Sequence, residues 1–270
     1  MNRFDRLIRR LSMAEKRPGV FLGGAGEGGV GGEARLYGGL VAAQATMAAQ
    51  HTVDDFPLHS LHAYFLGPGR AELDITYHVT TMKNGRNFHA RRVEAWQGEE
   101  CIFQLISSFQ RNEKGVEHQP EMPACEPPER LPNRDELKGR RHWEDMPVDV
   151  RMVTDITAGQ ARPAEQKVWL RANGNIPDDP KLHIALVVYA SDRGLLDTAF
   201  RPHADQGELI GASLDHAMWF HEQPNFNDWL LYETEGPVAK NARGLATGRI
   251  FDKQGNCLIS VAQEGLLRVR

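Results

Sequence analysis

Two stretches of this chain are apolar on every side. From Gly39 to Gln50 there is no charge and no proline, and Ala42, Ala43, Ala45, Ala48 and Ala49 dominate. That pattern predicts a helix buried on most of its surface. About 12 residues make a helix about 18 Å long, too short to cross a bilayer. Ile184 to Ala190 is a second uncharged apolar run and predicts a second buried helix. Elsewhere the period is two. Glu72 to Val79 alternates polar and apolar residues without a fault, as a half-buried antiparallel strand does. Cys101 to Phe109 is strand-like, and Lys83-Asn84-Gly85 and Gln97-Gly98-Glu99 mark turns. Val150–Ile156, Lys167–Arg171, Ser213–Phe220, Asp228–Glu235, Gly244–Phe251 and Cys257–Gly265 are further strand candidates, with a turn at Lys253-Gln254-Gly255-Asn256. Phe4, Leu7, Ile8 and Leu11 at helical spacing predict a short N-terminal capping helix.

The second half restates the first. Ser60-Leu61-His62-Ala63-Tyr64-Phe65 returns, with one insertion, as Ser213-Leu214-Asp215-His216-Ala217-Met218-Trp219-Phe220. Ala90-Arg91-Arg92 returns as Ala242-Arg243-Gly244, and Ile106-Ser107-Ser108-Phe109-Gln110 as Ile259-Ser260-Val261-Ala262-Gln263. A period of roughly 150 residues is a domain duplication and not a solenoid. A sheet wrapped around one apolar helix, present twice, matches the hotdog architecture. The expected class is α+β, with two tandem hotdog domains. The first spans residues 1–115 and the second 150–270, with a linker at 116–149 rich in charge and proline (Pro120, Pro123, Pro127, Pro128, Pro132, Pro147).

Composition narrows the function classes. A net charge of −4 gives no electrostatic footprint for nucleic acid. No apolar run is long enough to span a membrane, and the N-terminus lacks the apolar core of a secretory signal. Cys101, Cys125 and Cys257 are odd in number and far apart, which favours a reducing, cytoplasmic setting and offers no metal site. The glycine-rich segment 22–34 lacks the Gly-Lys-Ser/Thr of a phosphate loop and reads as a flexible loop. No cofactor is expected.

Longer words carry a family likeness. Leu36 to Ala45, His59 to Gly69 and Phe88 to Val93 resemble the first-half motifs of the acyl-CoA thioesterase II family. Tyr189-Ala190-Ser191-Asp192, Leu214 to His221 and Val261-Ala262-Gln263-Glu264-Gly265 resemble its second-half motifs, in the same order. The resemblance implies a double hotdog, hydrolysis of fatty acyl-CoA thioesters and self-association into a homo-oligomer. A non-catalytic acyl-CoA-binding protein on the same fold is the alternative, because fold does not fix function.

Thioester hydrolysis needs an activated water and a site for negative charge on the carbonyl oxygen. Asp192 is the first charge after the apolar run. Read alone it is a helix-surface aspartate; the resemblance makes it the catalytic base. Ser213 stands where the family usually has threonine and still offers a hydroxyl. Gln263 offers an amide that donates and accepts. Gly38 and Gly39 open the first buried helix and are the candidate backbone oxyanion donors. Arg91 and Arg92 are candidates for the CoA nucleotide, with strand-pairing arginines as the plainer reading. Gln110 is taken as the counterpart of Gln263. Counting back from Ser60 as far as Asp192 precedes Ser213 reaches Gly39. The first copy is therefore expected to lack the carboxylate, leaving one active site per chain. Two decoys remain: Gly211 to Asp215, which imitates a nucleophile elbow that would pair Ser213 with His216, and Asp179 to His183, a faint hydratase-like word.

Overall fold

The computed structural model describes residues 1–24, 35–140, 142–154 and 159–270. The glycine-rich segment therefore lies almost entirely outside the described residues. The first unit contains α1 (Arg3–Leu11), β1 (Ala14–Arg17), β2 (Val20–Gly23), α2 (Gly38–His51), β3 (Leu58–Phe65), β4 (Ile75–Asn84), β5 (Phe88–Gln97) and β6 (Glu100–Gln110). A short helix, α3 (Arg134–Leu137), lies in the connection. The second unit contains β7 (Val148–Met152), β8 (Glu165–Ala172), α4 (Pro180–Ser191), α5 (Leu195–Phe200), β9 (Leu209–Ser213), β10 (Asp215–Phe220), β11 (Leu230–Lys240), β12 (Arg243–Phe251) and β13 (Cys257–Val269).

All thirteen strands join one sheet in the order β1-β2-β4-β5-β6-β3-β10-β13-β12-β11-β8-β7, with β9 paired to β13. The order is a palindrome about the antiparallel β3–β10 seam, where Ala63 pairs with His216 and Leu61 with Met218. Two hotdog units thus form a double hotdog, each sheet half holding its own helix.

The two buried helices run antiparallel against each other. At one end Tyr37 Oη donates to Tyr189 O at 2.8 Å. At the other, Lys181 Nζ donates to Gln50 O at 2.8 Å and Val53 O at 2.9 Å, and Gln50 Nε2 donates to Lys181 O at 3.1 Å. The few polar groups of α2 are satisfied internally, as a buried helix demands. Tyr77 Oη donates to Gln44 Oε1 at 2.8 Å, Gln44 Nε2 to Arg10 O at 3.0 Å, and Thr46 Oγ1 to Ala42 O at 2.8 Å. Asp179 caps α4 by accepting from Lys181 N at 2.9 Å, and Pro180 follows at the first helical position, where its missing N–H costs nothing. This start signal is what the hydratase-like word amounts to.

The capping helix forms as expected: Asn2 caps it, and Phe4, Leu7 and Leu11 enter the main core. The hairpin β1–β2 was not expected, because Ala14–Arg17 is polar and wholly exposed. The predicted strand Val150–Ile156 begins earlier, at Val148, and ends at Met152. The linker lies against the outer face of the second unit. Met122, Cys125 and Leu131 cover Trp169, Trp229 and Leu231, and Trp169 Nε1 donates to Glu126 O at 3.0 Å.

Candidate active site

Asp192 is the C-cap of α4, immediately after the last apolar turn, and the chain reverses there through Gly194 (φ +95°) into α5. A helix C-terminus is the unfavourable end of the macrodipole for an anion. Two donors and a second helix answer that cost. Gln263 Nε2 on β13 donates to Asp192 Oδ1 at 2.7 Å, and Ser213 Oγ at the end of β9 donates to the same oxygen at 3.3 Å. The N-terminus of α2, the favourable end for negative charge, faces the other carboxylate oxygen. A Cβ placed on Gly38 would lie 3.2 Å from Asp192 Oδ2 and 2.8 Å from the Phe65 ring; one on Gly39 would lie 2.6 Å from Tyr189 O. Only glycine allows this approach.

The three side chains expected to act together do meet. Gln263 is fully buried, and Asp192 and Ser213 are half-buried. Among the described residues Asp192 Oδ2 has no hydrogen-bond donor, and the N–H groups of Gly38 and Gly39 have no acceptor. Tyr37 caps α2 without a side-chain bond. An open carboxylate oxygen therefore lies beside the first residue of α2. Burial, then the Asp192 charge, raises the Tyr37 phenol well above its ordinary pKa.

A fourth residue belongs to the cluster. His216 is 1% exposed on the inner face of β10. Its Nδ1 lies 3.2 Å from Gln263 Nε2 and its Nε2 lies 2.9 Å from Ser191 Oγ. Burial lowers its pKa below the ordinary imidazole value, against the opposing pull of Asp192 and Asp215. The sequence offered it only as the partner of Ser213 in the nucleophile-elbow decoy. The available signal was alternation: His216 shares a face with Met218 and Phe220, so it points inward from the strand that follows Ser213.

Other expectations are corrected. Arg91 is 3% exposed and closes the far end of α2, with Nε donating to Thr52 Oγ1 at 2.8 Å and Nη2 to Thr52 O at 3.0 Å. Its Nη1 donates to Ala90 O at 3.0 Å and Lys83 O at 3.2 Å. Its donors are committed to the backbone and a threonine, about 20 Å from Gly38 along a 14-residue helix, which is the plainer structural arrangement and not an open cation for the CoA nucleotide. Arg92 is partly exposed on the same strand beside Glu94, with 3.9 Å between Nε and Oε1. Gln110 ends β6 on the face opposite buried Phe109 and does not match Gln263. The palindrome instead pairs the C-cap of α4 with the C-cap of α2, so the counterpart of Asp192 is Thr52, not Gly39. The counterpart of the open α2 N-terminus begins with Pro180, which has no N–H. The other helix-end junction thus has a threonine in place of the Asp192 carboxylate and a proline in place of the first open donor. Ser213 is followed by Leu214 and then β10, not by a helix, and both His216 nitrogens are engaged elsewhere. The nucleophile-elbow geometry is absent here.

Tandem hotdog units with an acid–amide–hydroxyl cluster where the end of one buried helix meets the start of the other define a double-hotdog protein with a candidate active site at that junction. Comparisons with known proteins agree. Residues 28–110 match the family model for the acyl-CoA thioesterase N-terminal domain, and residues 138–266 match the acyl-CoA thioesterase model. The chain is 35% identical to acyl-coenzyme A thioesterase 8 of Mus musculus, over 87% of this chain and 81% of that one. It is 37% identical to acyl-CoA thioesterase 2 of Haemophilus influenzae, over 87% and 88% respectively. Among solved structures, an acyl-CoA thioesterase II from Mycobacterium marinum superposes with a TM-score of 0.84 at 36% identity, covering 98% of both chains. The chain belongs to the acyl-CoA thioesterase family and is a thioester hydrolase by kinship.

Proposed function

We propose that this protein hydrolyses fatty acyl-CoA thioesters to a free fatty acid and CoA by direct attack of a water molecule that Asp192 deprotonates. The observation that carries this reading is the division of labour on the carboxylate. Oδ1 is held by Gln263 and Ser213, while Oδ2 faces the start of α2 with no donor of its own among the described residues. A base pinned by one oxygen and open at the other is oriented for proton abstraction. The Gly38 and Gly39 N–H groups supply the complementary half, two donors for the negative charge that develops on the thioester oxygen. Hydroxide adds to the carbonyl carbon, the C–S bond breaks, and the proton held by Asp192 passes to the departing thiolate. Ser213 orients the carboxylate, and through it the water, and forms no acyl-enzyme. The binding-module alternative has no use for an open base. Self-association, as the resemblance implies, and a cytoplasmic setting are part of the same proposal; the three cysteines are free.

The test is rapid mixing of the protein with a long-chain acyl-CoA and a thiol reagent. Linear CoA release from the first turnover is expected. A stoichiometric burst would establish a covalent intermediate, and no release from any acyl-CoA would favour the binding protein.

A further inference from the structure

His216 is a buried titratable side chain that the hydrolytic scheme leaves unused, yet it touches the residue that holds the base. The hydrogen-bond pattern around it has a single consistent solution. Gln263 Nε2 is 2.7 Å from Asp192 Oδ1, a carboxylate oxygen that can only accept, so the nearer atom must be the amide nitrogen and not Oε1. The same nitrogen is 3.2 Å from His216 Nδ1. With one amide hydrogen on Asp192, the second points at His216, and Nδ1 must present its lone pair. The ring proton then sits on Nε2 and is donated to Ser191 Oγ at 2.9 Å, whose own hydrogen goes to Val188 O at 3.0 Å. Every donor in the chain from Val188 to Asp192 finds one acceptor. Besides Asp192 Oδ2, the polar atom left over is Gln263 Oε1, buried and without a hydrogen-bond partner among the described residues.

We infer that His216 is a positioning residue: its Nδ1 lone pair holds the Gln263 amide so that both hydrogens are spent on protein and Oε1 alone remains to accept a hydrogen from the attacking water. The inference rests on the hydrolytic reading above and sharpens it. Gln263 acts on the water as an acceptor, not as a donor. A water that gives one hydrogen to Asp192 and the other to Gln263 Oε1 has its lone pair directed at the thioester carbon. An acceptor lost at residue 216 frees the amide to rotate about its last bond, and the water loses its second anchor.

Two measurements test this. The long-range proton–nitrogen spectrum of the histidines in the wild-type protein reads the tautomer without any variant. An unprotonated Nδ1 on buried His216 is expected; a protonated Nδ1 overturns the inference. The second is a cycle of His216→Phe, His216→Asn and Gln263→Ala, read as kcat and KM for an acyl-CoA. His216→Phe is expected to lower kcat about tenfold with KM within about twofold, a loss confined to the transition state. His216→Asn, whose Oδ1 lies near the place of Nδ1, is expected to recover most of that loss. In the Gln263→Ala background, His216→Phe is expected to lower kcat no further. Equal loss in the Phe and Asn variants, additive with Gln263→Ala, overturns the inference and leaves only packing. Loss at Gln263→Ala with none at His216→Phe overturns it alone. Full kcat in Gln263→Ala overturns it together with the place of Gln263 in the hydrolytic scheme.

Discussion

Gly38 lacks a Cβ, and the geometry of the base depends on that. The close approach of α2 to Asp192 Oδ2 and to the Phe65 ring leaves no room for a methyl group. Gly38→Ala should therefore lower kcat about tenfold, ~1.4 kcal/mol of barrier, with the fold retained. Wild-type kcat in that variant would remove the α2 N-terminus from the mechanism. Ser213→Thr should keep kcat within a few-fold, since the hydroxyl survives and its rotamer stiffens; a collapse would mean that Ser213 does something a threonine cannot. At this scale Asp192, Ser213 and Gln263 were legible only through the family words around them. Alternation and spacing give no reason to choose Gln263 over any other strand glutamine. The word match of Ile106–Gln110 to Ile259–Gln263 misled at Gln110, and counting residues misled at Gly39. The second unit inserts α5 and β9 between its helix and β10, whereas α2 leads to β3 through a short turn, so equal counts do not reach equal places.

The two buried helices were legible as elements, because an uncharged run of that length has nowhere to go but the interior. Their antiparallel contact was not, since neither run carries a stripe that names its partner. That contact has two unlike ends. One is the proposed reaction centre. The other is a clasp in which Lys181 closes the C-terminus of α2, and a cation there complements the dipole. Lys181→Ala should cost about 1–2 kcal/mol of stability, seen as a lower Tm, with kcat unchanged. Arg91 serves the same helix end, so Arg91→Ala should cost about 2–3 kcal/mol and leave KM for acyl-CoA unaltered. A raised KM without loss of Tm would return Arg91 to the CoA site. The hairpin β1–β2 escaped notice because a strand exposed on every residue has no period to detect.

Across the whole molecule, one sheet, two helices and a near-palindromic order make two helix-end junctions, and among the described residues only the one at Asp192 brings a C-cap carboxylate to the glycine-led start of the other helix. A groove of about 650 Å³ on the outer face of the second unit, lined by residues such as Trp219, Glu233, Arg249 and Ser260, includes none of Asp192, Ser213 and Gln263. Among the described residues no helix is long and apolar enough to cross a membrane. Charge also acts at this scale. Burial holds His51, His59, His183, His216 and His221 below the ordinary imidazole value of 6.5. As the pH falls past that value, the unfolded chain binds protons that the folded chain refuses. Stability is then present above about pH 6.5 and lost below it. Tm should fall steadily between pH 7 and pH 5 at fixed ionic strength, and a flat Tm over that range would contradict the burial of these rings.

The most direct test of the account is turnover by Asp192→Asn, followed as thiol release from a long-chain acyl-CoA on protein whose circular dichroism and Tm match the wild type. The asparagine keeps the shape and the contact with Ser213 but cannot take a proton. The account predicts a fall in kcat of about 10²–10⁴-fold. Turnover near the wild-type rate would mean that the water is activated elsewhere.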